Sequence, residues 1–470
     1  MYSLIFLSVI SFALCIAITP IVRNIFRKLG IVDRPSHARK THQFPVPRIG
    51  GICIALAYMG AFGLLLISPL KGANTVSLPL IVKLLPAAAA MFVTGLIDDL
   101  FGLNAWQKLT GQMIAAGLAF WAGVSISGIS GHPAELWWGL PLTLLWLVGC
   151  ANAFNLIDGV DGLAAGVGLF ATLTIFVGAL LQNNAPLAIA TAPLAGALLA
   201  FLRYNFNPAS IFLGDCGSLS IGFLLGCYGV IWSQKSATML GMTAPLMALA
   251  IPLLDTCLAI GRRFLRHQPI FGADSSHIHH QLLGRGFSPR KVALLLYGVA
   301  GIAAIFSLTT SMYHNRFSGL IIILFCAAAW IGVQHLGYTE FGAAKQLFAQ
   351  GTFRRILHAQ LHLTSLEKKF SCALTDSDCW LVVRDAADEY GFVHVRMRIG
   401  GSVYQERFRP ATLDNCWTIR IPLSKDDYLN LSHQSSAREP VLMLTLLAQV
   451  LQDNLKKRAG QQQYYAAAGN

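Results

Sequence analysis

The first 336 residues alternate between long apolar runs and short polar segments. A helix needs about 20 mainly apolar residues to cross a bilayer, so each run predicts one transmembrane helix. The uncharged stretch 163–202 is too long for one crossing, and the turn-forming residues 182–186 (QNNAP) divide it. Eleven crossings are predicted, near residues 2–22, 50–69, 78–97, 106–123, 137–154, 163–181, 186–202, 217–233, 239–260, 292–311 and 317–336.

Residues 338–470 follow a different pattern, because apolar and polar side chains alternate along 393–399 and 417–423. A period of two predicts half-buried strands, and residues 353–369 and 441–455 have helical spacing. We therefore expect an all-α polytopic membrane protein with about eleven transmembrane helices over residues 1–337. A small cytosolic α+β domain, whose role the sequence does not indicate, is expected over residues 338–470.

The composition agrees with this division, since 55% of the 470 residues are hydrophobic and only 12% are charged. Soluble domains carry about 25% charged residues. The net charge is +13, and an excess of Lys and Arg marks cytoplasmic loops rather than a nucleic-acid face. The basic loops 23–48 and 262–291 therefore predict an external N-terminus, a cytoplasmic C-terminus and no nucleic-acid partner.

Four polar segments interrupt the apolar chain, namely 98–99 (DD), 152–161 (NAFNLIDGVD), 212–215 (FLGD) and 277–280 (HIHH). The predicted third, fifth, seventh and ninth helices all end at the cytoplasmic face, so the four segments lie on one side. Acids and imidazoles are costly at a lipid boundary and are kept there mainly for function. Their convergence suggests a divalent metal and a phosphorylated, lipid-linked substrate.

Asp98 and Asp99 end the third predicted helix, and Lys108 follows a short turn. Neighbouring carboxylates shift each other's pKa unless a cation lies between them, and Mg²⁺ binds one or two carboxylates together with phosphate oxygens. A solvated helix end is an equally good interpretation of the pair alone. The alternatives for Lys108 are an ion pair with the acids, a phosphate contact, or a side chain that extends from a helix start into water.

Asn152, Asn155, Asp158 and Asp161 recur at steps of three, which places them near one stripe of a helix. Such a row suits sugar hydroxyls, the edge of a uracil, or groups that surround a bound metal. The alternative is that Asp161 caps the next helix. A cap does not need four polar residues, so a binding role is favoured.

Phe212 and Asp215 lie in a glycine-containing loop between the seventh and eighth predicted helices. Asp215 comes just before a helix N-terminus, where backbone N–H groups favour phosphate and its metal. Phe212 has two interpretations, as a stacking partner for a nucleobase and as an apolar anchor of the loop.

His277, His279 and His280 lie in a basic loop between Arg266 and Arg285. We expect these imidazoles and arginines to bind a diphosphate. A zinc site is the alternative, but only one acid, at position 274, and no cysteine stands at ligand spacing.

The first basic loop contains Lys40, His42 and Arg48, which are candidates for contacts with nucleotide or lipid phosphate. Contact of this loop with anionic lipid is the alternative. Asp255 lies inside the ninth predicted helix, and a structural pair with Arg262 is its expected role.

Six segments occur in order, at 39–51 (RKTHQFPVPRIGG), 96–108 (LIDDLFGLNAWQK), 152–166 (NAFNLIDGVDGLAAG), 212–219 (FLGDCGSL), 252–256 (PLLDT) and 277–286 (HIHHQLLGRG). Together they resemble the polyprenyl-phosphate N-acetylhexosamine-1-phosphate transferase family, in the glycosyltransferase 4 group. The HIHH form resembles its bacterial undecaprenyl-phosphate N-acetylglucosamine-1-phosphate branch. The branch that transfers the peptidoglycan muramyl-pentapeptide typically carries three consecutive histidines followed by Phe-Glu, which are absent from this chain.

The resemblance implies a role for each matching residue. Relatives often carry a basic residue after the acid that precedes the histidines, whereas Ser275 follows Asp274 here, which leaves the sugar open. The implied roles are catalytic acids at Asp98, Asp99 and Asp158, a metal site at Asp215 and Asp99, nucleoside-pocket positions at Asn155, Asp158, Asp161 and Phe212, and a sugar-diphosphate loop at His277, His279 and His280.

The implied reaction transfers N-acetylhexosamine-1-phosphate, with N-acetylglucosamine favoured, from a UDP-sugar to undecaprenyl phosphate and releases UMP at the bacterial cytoplasmic membrane. Mg²⁺ is the implied cofactor and Mn²⁺ its substitute. The second pKa of a phosphate monoester is near 6, so the lipid phosphate is already largely ionised. Asp98 then orients or deprotonates it, or an aspartate forms a covalent phosphate intermediate. Expected partners are both substrates, the bilayer, a second copy of the chain, and a cytosolic protein bound by residues 338–470.

Two other functions are alternatives to this interpretation of the sequence. The phospho-N-acetylmuramoyl-pentapeptide transferases of peptidoglycan synthesis run the same reaction on another donor. A membrane transporter would place its acids near the middle of the bilayer on repeated, discontinuous helices, whereas the acids of this chain lie at one face and its halves show no repeat.

Overall fold

The computed structural model of the chain divides into two compact units, Met1–Tyr338 and Thr339–Asn470. This division lies one residue beyond the boundary that the sequence predicts. Lys40 and His42 fall outside the described residues. The structure describes residues 2–33, 45–67, 79–126, 128–129, 132–133, 136–234, 242–265, 277–312, 318–335, 363, 365–373, 375–408, 416–424, 426–434 and 447–456.

The first unit is helical apart from one short antiparallel pair, β1 (Gly128–Ile129) and β2 (His132–Pro133). Its helices are α1 (Tyr2–Lys28), α2 (Gly50–Ile67), α3 (Pro79–Phe101), α4 (Ala105–Trp121), α5 (Leu136–Ile157), α6 (Leu163–Leu181), α7 (Ala185–Asn205), α8 (Gly214–Gln234), α9 (Thr243–Ala248), α10 (Ala250–Leu265), α11 (Ile278–Gly284), α12 (Pro289–Met312) and α13 (Ser318–His335).

Eight of the described helices are long and apolar enough to cross a membrane, namely α1, α2, α3, α5, α6, α7, α8 and α12. The chain is therefore a multi-pass membrane protein, although the described residues support eight crossings by these criteria rather than the eleven predicted. Two of the remaining predictions coincide with α4, which has 17 residues, and with the apolar helix α13.

The third remaining prediction, near residues 239–260, is interrupted at Leu249 between the 6-residue α9 and the 16-residue α10. Pro252 explains the break, because a proline has no N–H to donate to the carbonyl four residues earlier and its ring clashes with that carbonyl. The proline is tolerated in the first turn of α10, because the N–H groups of a first turn have no acceptor within the helix.

Helix α8 lies inside the bundle, because most of its side chains, including Phe223, Tyr228 and Trp232, are buried. It packs against α2, α3, α5 and α6. A Cβ atom at Gly51 of α2 would overlap the backbone of Gly217 in α8, and one at Gly95 of α3 would overlap the backbone at Asp215. Small residues thus let neighbouring helices approach closely. Asp215, at the start of α8, therefore lies between α2 and α3.

Two loops are joined by main-chain hydrogen bonds at this end of the bundle. The Phe212 N–H donates to the Pro47 carbonyl at 2.8 Å, and the Phe212 carbonyl accepts from the Gly50 N–H at 2.8 Å. The Gly51 N–H donates to the Leu213 carbonyl at 2.9 Å. These bonds fix the start of α2 beside the start of α8.

The second unit contains a four-stranded antiparallel sheet of order β4-β3-β6-β5. Its strands are β3 (His394–Ile399), β4 (Ser402–Arg407), β5 (Cys416–Pro422) and β6 (Tyr428–Gln434). Helix Asp376–Glu389 begins with a capping box between Thr375 and Asp378. The described residues also include helical segments 365–372 and 447–456, which lie within or near the two helices predicted from sequence.

One hydrophobic core holds this second unit together. Helix Asp376–Glu389 contributes Val383 and Ala386, and the sheet contributes one side chain in two, such as Val395, Met397 and Leu429. The predicted period of two along 393–399 is confirmed by the burial of alternate residues in β3. The sheet therefore has a core face and an outer face.

Candidate active site

Four helices bring polar side chains to one end of the membrane bundle. Asp98 comes from the last turn of α3, Lys108 from the first turn of α4, Asn155 from the last turn of α5 and Asp215 from the first turn of α8. Elements far apart in sequence thus supply one cluster, as expected if the predicted segments share a membrane face.

The ammonium of Lys108 is the centre of the cluster. Its Nζ lies 2.8 Å from Asp98 Oδ2, contacts Asp215 Oδ2, and donates to Asn155 Oδ1 at 3.3 Å. The Asn155 amide then donates to Ser218 Oγ at 3.0 Å. Of the three alternatives for Lys108, the ion pair with the acids is the one that the structure contains.

Asp215 is held between two cations. Arg48 Nη2 lies 2.8 Å from Asp215 Oδ1, and Lys108 contacts the other oxygen. Burial acts to lower the pKa of Arg48, but the charges of Asp215 and Asp99 outweigh it and raise the pKa. Arg48 therefore stays charged and helps to keep this nearly buried carboxylate ionised.

Asp99 has a different environment from its neighbour Asp98, because its side chain is fully buried. Its Oδ1 accepts from the Asp215 N–H and its Oδ2 from the Cys216 N–H, both at 2.8 Å. These N–H groups belong to the first turn of α8, which lacks intrahelical acceptors for them. A carboxylate from α3 thus satisfies the start of α8 and complements its dipole.

The row of four polar residues does not act as one stripe. Asn152 exchanges hydrogen bonds with Gln112 of α4, at 2.7 and 3.2 Å. Asp161 Oδ2 accepts from Asn207 Nδ2 at 2.9 Å and from the Ala209 N–H at 3.0 Å. The structure thus gives Asn152 a contact between helices and Asp161 a contact that fixes a loop, whereas Asn155 joins the Lys108 cluster.

Asp158 follows the end of α5 and is partly buried. Burial raises its pKa well above the usual range, Arg48 partly opposes this, and the charges of Asp215 and Asp99 raise it further. Asp158 therefore binds a proton more readily than an exposed aspartate, and its protonated form can donate a hydrogen bond.

A buried aspartate positions the histidine segment. Asp255 of α10 has a side chain that is 1% exposed. Its Oδ2 lies 3.0 Å from His277 Nδ1, and its Oδ1 accepts from the Ile278 N–H at 2.8 Å. The sequence predicts a pair with Arg262, and it did not predict that both carboxylate oxygens of Asp255 contact the start of α11.

His279 is 1% exposed and lies beside Gly159, where an added Cβ would come within 2.6 Å of its Nε2 atom. Among the described residues, neither ring nitrogen of His279 has a hydrogen-bond partner. Its ring stacks on His277 at 5.8 Å with 3° between the planes. Burial lowers the pKa of His279 to about 3, with a further lowering from His280, so the ring is neutral at physiological pH.

Two further predicted residues, Phe212 and His280, have main-chain and ring contacts in this region. The main chain of Phe212 is hydrogen-bonded to the loop at Pro47 and Gly50, and its side chain is half-buried. These contacts do not decide between the two interpretations of its ring. His280 is exposed on α11, and its ring lies 4.3 Å from that of His279.

The donor set fits a hard divalent cation at one place. Asp98 Oδ2 and Asp215 Oδ2 meet at the Lys108 ammonium, so the position between them already attracts positive charge. Within the described ranges, no group of three or more His, Cys, Asp and Glu side chains is arranged to hold a metal. Mg²⁺ needs only one or two carboxylates when phosphate oxygens complete its shell, so two aspartates suffice.

An apolar cleft of about 210 Å³ lies beside the cluster. The cleft is lined mainly by residues of α2, α3 and α8, and Gly217 and Tyr228 are among the α8 residues. The lining is almost wholly apolar, so the cleft suits hydrocarbon rather than a charged group.

The acid and lysine cluster at the end of this apolar bundle has the buried, fixed charges that are typical of enzyme sites for phosphorylated substrates. A family model described as glycosyl transferase family 4 matches residues 81–233. A probable undecaprenyl-phosphate N-acetylglucosaminyl 1-phosphate transferase of Bacillus subtilis (strain 168) is 35% identical over 325 residues, covering 67% of this chain and 88% of the relative. The chain belongs to this family, as its motifs predicted.

Two further relatives carry related names. A decaprenyl-phosphate N-acetylglucosaminephosphotransferase of Mycobacterium tuberculosis (strain CDC 1551 / Oshkosh) is 35% identical over 320 residues, which are 63% of this chain and 79% of the relative. The undecaprenyl-phosphate alpha-N-acetylglucosaminyl 1-phosphate transferase of Escherichia coli (strain K12) is 27% identical over 325 residues, 66% of this chain and 84% of the relative. The names agree with the predicted branch of the family.

Sequence reasoning missed the contacts that Asp255, Gln112 and Asn207 make in this region. Asp255 carried a usable signal, because an acid inside an apolar helix is kept mainly for function. Gln112 and Asn207 carried none, since their partners come from distant parts of the chain.

Proposed function

We propose that this chain transfers N-acetylglucosamine-1-phosphate from UDP-N-acetylglucosamine to undecaprenyl phosphate, which yields a lipid-linked diphosphate sugar and UMP. The observation that carries the proposal is the meeting of Asp98 and Asp215 at the Lys108 ammonium. Fixed charges at one point are what phosphoryl transfer requires. The names of the relatives supply the two substrate classes, a polyprenyl phosphate and an N-acetylglucosaminyl phosphate.

We propose that Asp98 and Asp215 hold Mg²⁺, with Mn²⁺ as a substitute, in place of the Lys108 ammonium that contacts both carboxylates in this structure. The support is the pair of hard oxygen atoms that already holds a cation there. A bound metal would supply positive charge to the diphosphate of the donor. Asp99 supports the site without a ligand role of its own, because its oxygens hold the start of α8.

The transfer forms a bond between an oxygen of the lipid phosphate and the phosphorus that carries the sugar. It breaks the bond from that phosphorus to the oxygen bridging towards uridine, and the electron pair leaves with UMP. Lys108 and Arg48 attract the phosphates to the site. Asp98 orients the lipid phosphate, whose second pKa near 6 makes a strong base unnecessary.

The groups around Gly159 bind the donor in this proposal. Asp158 would donate a hydrogen bond to a donor oxygen in its protonated form, and burial raises the pKa of this carboxyl. Neutral His279 supplies a ring nitrogen, and both of its ring nitrogens lack a hydrogen-bond partner among the described residues. Asp255 acts through His277 as a positioning residue.

The end of the bundle that carries the cluster faces the cytosol in this proposal, with the N-terminus outside and the second unit in the cytosol. The support is the density of Lys and Arg in the sequence segments 23–48 and 262–291. The soluble UDP-sugar then reaches the acids from water, while the lipid reaches them from the bilayer.

A donor panel tests the proposal. Purified full-length protein is mixed with undecaprenyl phosphate, Mg²⁺ and each of several UDP-sugars, and released UMP is measured. UDP-N-acetylglucosamine should release UMP, and Asp215→Asn should abolish the release, whereas Asp385→Asn, at an exposed acid of the second unit, should not. Release only from UDP-N-acetylmuramoyl-pentapeptide would refute the sugar, and release from no donor would refute the reaction.

A further inference from the structure

The sheet of the second unit has two unlike faces. Its core face packs Val395, Met397, Leu429 and Leu431 into the hydrophobic core. Glu406 shares this side, because it pairs with Val395, and its carboxylate lies 3.9 Å from Arg384 of helix Asp376–Glu389. The helix therefore covers the core face, and the opposite side of the sheet is the outer face.

Four arginines occupy the outer face. Arg396 and Arg398 come from β3, Arg407 from β4 and Arg420 from β5, and all four are exposed. The register places Arg396 and Arg420 on either side of Asn430, about 10 Å apart across two strand spacings. Arg407 pairs with His394 in the adjacent row.

The outer face carries no acid along the described strands. Its positions are residues 394, 396 and 398 of β3, 403, 405 and 407 of β4, 416, 418, 420 and 422 of β5, and 428, 430, 432 and 434 of β6. The pKa of His394 is lowered, first by burial and then by the charges of Arg407 and Arg396, so the positive charges act together on this face.

The four arginines place like charges on one face of the sheet, although no two are directly opposite. Their mutual repulsion has a cost in the isolated chain. Part of it is offset at Arg420, whose guanidinium lies 4.6 Å from the centre of the Tyr428 ring. The planar guanidinium fork matches phosphate oxygens, and several forks spaced over a flat surface suit a layer of phosphates better than one small ligand.

We propose that the outer face of this sheet binds the anionic phospholipid headgroups of the bilayer that the first unit crosses. Charge complementarity supports this occupant, since clustered Lys and Arg near a membrane bind anionic lipid. The chain itself tethers the sheet to a bilayer, which raises the effective concentration of headgroups. A second copy of the chain is a poor occupant, because two positive faces repel.

Arginine footprinting of the full chain tests the inference independently of the sugar transfer. The protein is placed in nanodiscs of phosphatidylcholine alone or mixed with phosphatidylglycerol, and phenylglyoxal modification is followed by mass spectrometry. Arg396, Arg398 and Arg420 should react about threefold more slowly in the anionic nanodiscs at low salt, and high salt should remove the difference. Arg384, on the helix side of the sheet, is the internal control.

A pair of charge variants sharpens the test. Arg396→Gln with Arg420→Gln should abolish the protection of Arg398, whereas Lys368→Gln with Lys369→Gln, the same charge change at exposed residues outside the sheet, should preserve it. Equal reaction rates of Arg396, Arg398 and Arg420 in the two kinds of nanodisc would overturn the inference. Protection of these arginines by added single-stranded RNA but not by anionic lipid would overturn it too.

Discussion

Lys108 lets two aspartates from different helices remain close together at the end of an apolar bundle. Without its ammonium, Asp98 and Asp215 would face each other as like charges in a weakly solvated place. Removal of one partner from a buried ion pair leaves an uncompensated charge and costs more than the pair itself contributes. Loss of Lys108 would therefore leave Asp98 and Asp215 without the cation that contacts both of them.

Gly159 tests the position of His279 at the residue scale. Gly159→Ala should lower turnover strongly, because its Cβ would come within 2.6 Å of His279 Nε2 and displace the ring. Gly149→Ala is the matched control in α5, where an added Cβ meets nothing within 4 Å. UMP release from the two purified variants is the measurement. Equal rates would show that His279 does not serve the reaction from this position.

Asp255 tests the support of the histidine segment. Asp255→Asn should reduce kcat/KM by about 10- to 100-fold, a range typical for residues that orient a ligand-binding histidine, mainly through a higher KM for the UDP-sugar. Asp255→Glu should restore part of the loss, because it keeps the charge. If both variants lose thermal stability while kcat and KM stay unchanged, Asp255 serves the fold alone.

Close helix packing around α8 gives a test at the scale of elements. Gly51→Ala should destabilise the protein by about 1–3 kcal/mol, the usual effect of overpacking, because the new Cβ meets the backbone of Gly217. Gly63→Ala lies in the same helix with nothing within 4 Å of the new atom. It should be neutral or slightly stabilising. Thermal unfolding in detergent compares the two, and equal shifts would contradict the packing.

The helices also show which structural features could be predicted from the sequence. Apolar length predicted the long helices well, but it could not locate the break before α10. Hydropathy does not register that Pro252 lacks the N–H that would continue the helical hydrogen bonds. Helical spacing grouped Asn152 with Asp161, whereas tertiary partners assigned them to Gln112 and Asn207. The carboxylate of Asp99 turned out to hold α8, a contact 116 residues away in sequence.

At the scale of the whole molecule, the two units have separate cores and separate polar surfaces. Every described residue of the candidate site lies in Met1–Tyr338, while the arginine face lies in Thr339–Asn470. The period of two predicted strands in the second unit, but it could not predict which strands pair. The gathering of four arginines on one face became visible only from the register.

Truncation tests whether the second unit is needed for chemistry. A chain that ends near Ala343 should keep most of its UMP release in detergent with saturating substrates, because it retains the Lys108 cluster and the histidine segment. The truncated protein must first elute as a single species, which shows that its bundle is intact. A monodisperse but inactive protein would mean that the second unit completes the site.

The fate of the two donor phosphates tests the central claim most directly. UDP-N-acetylglucosamine labelled in either phosphate is incubated with the full-length protein, undecaprenyl phosphate and Mg²⁺, and the lipid is extracted. Transfer of sugar-1-phosphate predicts that the label next to the sugar enters the lipid, while the label next to uridine stays in water as UMP. If both labels remain in water, whether as released UDP or as unreacted donor, the acid and lysine cluster does not perform this reaction.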